Sequence, residues 1–326
     1  MIDNRIQSAS SVEFFYSKNK DTWYAIPLRN GSSLFRDIQS HLTDIETSHT
    51  MDLTLRDIFI KYKKSRFVFL YRNPILRYAS ACTFLQYKSI EIYKLYEEEQ
   101  VKWDEITKEN IGKAHEELGA DPDGLFHNFS FHDPHFIPTV FTQLFYSTLV
   151  DNYQFVHIDD YSDFLLEEFN TRLEDGISAT GEPILKLIEK RKENKEYFSK
   201  KLYKNFVTFL QTPNEKFRLN TKPLENPGCT LNDYLYPDIV MHKYLNKYKG
   251  VNRQHNIEHI ARMLRMYPYT FWRSAVHAVK LIEFYDIVDE RIKDALDSAY
   301  SNLEKCILDH SINTDLYKVL SKEKGL

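Results

Sequence analysis

Arg66-Phe67-Val68-Phe69-Leu70-Tyr71-Arg72-Asn73-Pro74-Ile75-Leu76-Arg77-Tyr78-Ala79-Ser80 opens a run, RFVFLYRNPILRYASACTFLQY, that continues to Tyr87 and reads as a strand turning straight into a helix. Phe67–Tyr71 is uniformly apolar and rich in aromatic residues, the pattern of a strand buried on both faces. Pro74 suits the first turn of a helix, and Leu76, Ala79, Thr83 and Gln86 or Tyr87 follow at helical spacing. A strand tip beside a helix N-terminus is where open α/β sheets bind anions. Arg72 brings a guanidinium fork to that tip, and Ser80 a hydroxyl two turns into the helix. This is a phosphate site in outline. An arginine at a strand end also serves simply as a cap or an ion-pair partner, so a second phosphate-binding segment is required.

Upstream, Val12–Tyr16 and Thr22–Ile26 are short β-rich runs separated by the polar turn Ser17–Asp21. The second run feeds into Pro27-Leu28-Arg29-Asn30-Gly31-Ser32-Ser33-Leu34, after which Leu34, Phe35, Ile38 and Leu42 mark one face of a helix. Strand, glycine-containing loop and helix, in that order, let backbone N–H groups and the helix dipole cradle a phosphate. The loop lacks the G-x-x-x-x-G-K-[ST] pattern of a Walker A site. Its plain alternative is an Asn-Gly turn with Ser32 and Ser33 capping the next helix.

The two segments together resemble the sulfotransferases that use 3′-phosphoadenosine-5′-phosphosulfate (PAPS). Arg72-Asn73-Pro74-Ile75-Leu76-Arg77-Tyr78-Ala79-Ser80 is similar to their RNPxxRxxS segment, and the resemblance implies that Arg72 and Ser80 hold the donor's 3′-phosphate. Pro27–Ser33 is similar to their 5′-phosphosulfate loop, Pro-Lys-x-Gly-[Ser/Thr]-[Ser/Thr], and implies donor contacts from Asn30, Gly31, Ser32 and Ser33. Two departures stand out: Arg29 occupies the place of the catalytic lysine, and Leu28 is an extra residue after Pro27. Sulfuryl transfer requires charge on the leaving phosphate oxygen to be neutralised, which a cation achieves without a metal. Arginine keeps its proton, so Arg29 is expected to act electrostatically rather than as a general acid.

An acceptor hydroxyl must also lose a proton, and histidine has a suitable pKa. His127, His132, Asp133 and His135 cluster in sequence, but without i, i+4 spacing on a helix, and Pro134 breaks the run, so no metal motif is read there. His135-Phe136-Ile137-Pro138 is similar to a His and Pro that precede an apolar helix in the carbohydrate branch of the family. That resemblance makes His135 the first candidate base and His132 the second; loop histidines bonded to nearby backbone are the alternative. The C-terminal Arg-Lys-Gly-x-x-Gly segment of the cytosolic branch is absent, which places the chain nearer the carbohydrate-type enzymes.

The remaining sequence sets bounds. With 326 residues the chain can bury a full core. A net charge of −4 argues against a dedicated nucleic-acid binder. Cys82, Cys229 and Cys306 show no paired spacing, so neither a disulfide framework nor a zinc site is implied. No apolar signal core or membrane span is evident, and the expectation is a soluble cytoplasmic protein with no membrane partner. Residues 88–120 read as a charged helical insertion, with the Asp121–Gly124 stretch as a turn. Tyr153–Ile158 reads as a further strand, with Asp159 and Asp160 expected to cap the helix through Phe169. The irregular Thr212–Leu231 connection divides an α/β domain, 1–231, from a helical extension, 232–326, whose apolar stripes could also serve a homo-oligomer.

The expected fold is therefore a three-layer, P-loop-like α/β domain with a central parallel sheet plus a helical C-terminal extension. The expected activity is transfer of a sulfuryl group from PAPS to a hydroxyl on a small molecule or saccharide, with no metal. A P-loop nucleotide kinase, which would need a Gly-Lys-Ser/Thr loop and magnesium ligands, and a non-catalytic binding protein of the same fold are the alternatives.

Overall fold

The computed structural model describes residues 12–28, 30–74, 77, 139–193, 231–248, 252–266 and 284–308. In chain order they form β1 (Val12–Ser17), β2 (Thr22–Pro27), α1 (Ser32–His41), β3 (Ile45–Thr47), α2 (Leu55–Lys61), β4 (Arg66–Tyr71), α3 (Val140–Ser147), β5 (Asn152–His157), α4 (Tyr161–Phe169), α5 (Ile184–Glu193), α6 (Leu231–Lys247), α7 (Arg253–Met266) and α8 (Glu290–Leu308). The five strands make one open sheet in the order β3-β1-β2-β4-β5.

The sheet is mixed, which corrects the expectation of a parallel one. β2, β4 and β5 run parallel, whereas β1 is antiparallel to both β2 and β3. The physical reason lies in the connection from β1 to β2, which is too short for a crossover and can only return the chain as a hairpin. Asp21 closes that turn at φ 44°, its carboxylate accepting hydrogen bonds from Tyr16 at 2.9 Å and Ser65 at 2.7 Å. β3 is only three residues long, too short for periodicity to announce it.

Side-chain alternation sorts the core into two clusters. Phe14, Trp23, Ala25, Phe67 and Phe69 face α2, α3, α6, α7 and α8. Phe15, Tyr24, Ile26, Val68 and Leu70 face α1, α4 and α5. Helices thus cover both faces, and the uniform apolar character of β4 follows from that double burial. The apolar stripes of the late helices, Ile257, Ile260, Ala261 and Leu264 in α7 and Ile292, Ala295, Leu296 and Ala299 in α8, are buried in the first cluster. Among the described residues no helix is long and apolar enough to cross a membrane.

The two ends of the parallel strands differ in chemistry. At the N-terminal end, Glu168 is shared by Tyr24, Arg66 and Lys20, at 2.8, 3.1 and 3.1 Å. Burial works to raise the Glu168 pKa, but the Tyr24 hydroxyl and the two cations outweigh it and hold the carboxyl below the usual range. At the C-terminal end, β2 leads into α1 on one face, while the chain after β4 returns through α3 on the other. Such a divergence opens a crevice at the carboxyl ends of the strands.

Candidate anion-binding site

The loop after β2 is a tight turn in which the Asn30 N–H donates to Pro27 O at 3.0 Å. Gly31 follows in the left-handed conformation, φ 94°, and its carbonyl accepts the first helical bond, from Phe35 at 3.1 Å. Only glycine fits there: besides the positive φ, a Cβ would lie 2.6 Å from Cε1 of Tyr161. Gly31 is thus the N-cap of α1, and Ser32 and Ser33 are the first two helical residues. The serines therefore do not cap the helix, and no side chain does. The N–H groups of Ser32, Ser33 and Leu34 point out of the first turn with no intrahelical acceptor, at the positive end of the helix dipole. The first turn contains no acidic residue to neutralise it.

Asn30 adds a second anomaly. It is fully buried, yet neither Oδ1 nor Nδ2 has a hydrogen-bond partner among the described residues. Each such group costs about 1–3 kcal/mol in the empty state.

The segment after β4 lies against this loop. Arg72, 9% exposed, follows the strand directly, and Pro74 opens a helical turn in which the Arg77 N–H donates to Asn73 O at 2.9 Å. Buried Arg77 reaches across to the β2 loop, its Nε donating to Leu28 O at 3.0 Å. The two sequence motifs are therefore joined by a side chain to which sequence reading assigned no role. Below them, buried Asp238 of α6 accepts the N–H groups of Thr139, Val140 and Phe141 at 2.7, 2.9 and 2.8 Å. Burial pushes its carboxyl pKa up, against the three donors and the charge of Arg77, which pull it down.

At the end of β5, His157 and His242 of α6 face each other, with their Nε2 atoms 3.4 Å apart. Asp159 Oδ2 is 3.4 Å from His157 Nδ1, and Tyr71, paired with His157 across the sheet, donates its hydroxyl to Asn246 at 3.1 Å. Burial, and then the neighbouring His157, lower the pKa of His242 to about 4, so its ring is neutral near neutral pH. The expected capping role of Asp159 and Asp160 does not hold: Asp160 is the N-cap of α4 but makes no capping bond, and the Asp159 carboxylate is turned to His157. Sequence reading missed the pair because His242 is 85 residues away along the chain. The one local signal was a histidine ending a parallel strand.

Arg191 of α5 was likewise missed. Its guanidinium lies over the Tyr161 ring, 5.3 Å from the centroid, and its Nη1 would be 3.4 Å from a Cβ on Gly31.

Of the residues expected to form the site, Asn30, Gly31, Ser32, Ser33 and Arg72 are brought to the adjacent ends of β2 and β4. Arg29, Ser80, His132 and His135 lie outside the described residues, as do the 88–120 insertion and the Asp121–Gly124 turn. Among the described residues no group of three His, Cys, Asp or Glu side chains could hold a metal ion. Comparison with protein families, characterised proteins and solved structures finds no match to this chain.

Proposed function

We propose that the protein is a PAPS-dependent sulfotransferase whose donor lies across the ends of β2 and β4. The observation that carries this reading is the Arg77–Leu28 hydrogen bond at 3.0 Å, which holds the uncapped start of α1 beside the Arg72 strand end. One ligand with two separated anionic groups suits that pairing. The N–H groups of Ser32, Ser33 and Leu34 take the 5′-phosphosulfate and Arg72 the 3′-phosphate. Arg29 adds charge at the loop and Ser80 a hydroxyl at the 3′-phosphate, as the family resemblance implies.

In the transfer, a bond forms between the acceptor oxygen and sulfur as the bond from sulfur to the 5′-phosphate oxygen breaks. The electron pair leaves with that oxygen, where the helix N-terminus stabilises it. The acceptor's proton passes to the His157–His242 pair at the end of β5, with His135 and His132 as the bases implied by resemblance. The acceptor is a hydroxyl on a saccharide or other small molecule.

A thermal-shift titration with adenosine 3′,5′-bisphosphate, set beside ATP with Mg²⁺, tests the donor site. A ligand at a hundredfold excess over its Kd stabilises a folded protein by about 2.7 kcal/mol. The expected result is stabilisation by the bisphosphate, lost in Arg72→Ala, followed by sulfuryl transfer from PAPS in an acceptor screen. A response to ATP with Mg²⁺ alone would replace this reading with a nucleotide kinase. Bisphosphate binding without transfer to any acceptor would favour a non-catalytic binding protein.

A further inference from the structure

We propose that Arg191 is a ligand of the anion at the start of α1, reaching the site from α5 rather than from either loop motif. This rests on the same anion site as the proposed function, but not on the identity of the donor. Arg191 is half-buried between Tyr161 and Gly31, and among the described residues no carboxylate makes an ion pair or hydrogen bond with it. Burial lowers the pKa of the guanidinium and the nearby charge of Asp159 opposes this in part, but the Asp159 side chain is 47% exposed and faces His157. Elsewhere the fold provides its partly buried arginines with acids, Arg66 with Glu168 and Arg172 with Asp44. Arg191 has a ring face instead, which orients the guanidinium and leaves its N–H donors without an acceptor among the described residues.

Three features adjoin one another at this loop: a guanidinium with no acid partner among the described residues, a helix start with no side-chain cap, and the buried Asn30 amide with no partner among the described residues. All three favour a negative charge with several acceptor oxygens, such as a phosphate or sulfate group. Gly31 is what allows the approach, because a side chain there would occupy the space between Tyr161 and the guanidinium. Arg191 would therefore supply cationic charge to the loop from a third element, α5.

The test is calorimetric titration of the full chain with inorganic pyrophosphate, with the ligand-free melting temperature measured in parallel. Wild type is expected to bind. Arg191→Met, which keeps contact with the Tyr161 ring, should bind about 10- to 100-fold more weakly with a ligand-free melting temperature equal to wild type or higher. Arg191→Lys keeps the charge without the planar fork and should fall between them. Unchanged pyrophosphate affinity in Arg191→Met overturns the proposal, as does a wild type that binds no pyrophosphate. A lowered melting temperature with affinity intact also overturns it, by making Arg191 purely structural. Pyrophosphate binding that depends on Arg191, with no response to adenosine 3′,5′-bisphosphate, supports the role of Arg191 while removing the PAPS reading.

Discussion

Helices α1 and α3 both begin beside the sheet, and their N-termini are treated in opposite ways. At α3 the Asp238 carboxylate accepts three consecutive backbone N–H groups, so the positive end of the helix is satisfied from within the fold. At α1 no side chain caps the first turn and no acid lies in it, and among the described residues the preceding amide side chain and the guanidinium beside the loop have no hydrogen-bonding partner. A third start, that of α2, carries a complete capping box in which Thr54 and Asp57 bond each other's backbone N–H. The chain can therefore close a helix start with either a local or a distant side chain. The start of α1, which has neither a capping side chain nor an acid in its first turn, lies at the carboxyl end of a parallel strand, where a ligand can complete it.

The largest effect is expected where the closed start is opened. Asp238→Ala should cost about 3–5 kcal/mol, because buried N–H groups lose their acceptor and the charge of Arg77 loses its counterpart. Urea unfolding measures this, and a loss below 1 kcal/mol would mean that water replaces the carboxylate and that the two helix starts are alike. Gly31→Ala follows at about 1–3 kcal/mol, from left-handed strain and the close approach of Tyr161, and it should also abolish anion binding. A Gly31→Ala protein with wild-type stability and binding would remove the close approach from this account.

Thr54→Ala should cost about 1 kcal/mol and leave anion binding untouched, which separates a cap from a ligand site. A pH dependence completes the series. His242 has a folded pKa near 4, below its ordinary value of 6.5, so between those values the unfolded chain binds more protons. Stability should be level above pH 6.5, decline as pH falls towards 4, and level off again below. His242→Gln should flatten that slope; a slope that persists unchanged would assign it to other groups, Glu168 among them.

How much was legible in the sequence depends on the range of the interaction. β2 and β4 could be read because strands buried on both faces are continuously apolar, and their following loops because glycine, serine and arginine sit at fixed offsets from them. The antiparallel β1 was misplaced in an expected parallel sheet because hydrophobicity alone does not distinguish a hairpin from a crossover; the short turn does. Asp160 occupies the predicted N-cap without making a capping bond, and Asp159 prefers His157, a competition that local propensity does not contain. Arg77, Arg191, His242 and Asp238 acquire their roles only through distant partners, Leu28, Gly31, His157 and Thr139. No spacing rule relates those positions.

The most direct test of the central claim is a crystal structure grown with saturating adenosine 3′,5′-bisphosphate. This account predicts one phosphate against the N–H groups of Ser32, Ser33 and Leu34 within reach of Arg191, and the other at Arg72. A bisphosphate bound elsewhere, with the start of α1 unchanged and unoccupied, would contradict it.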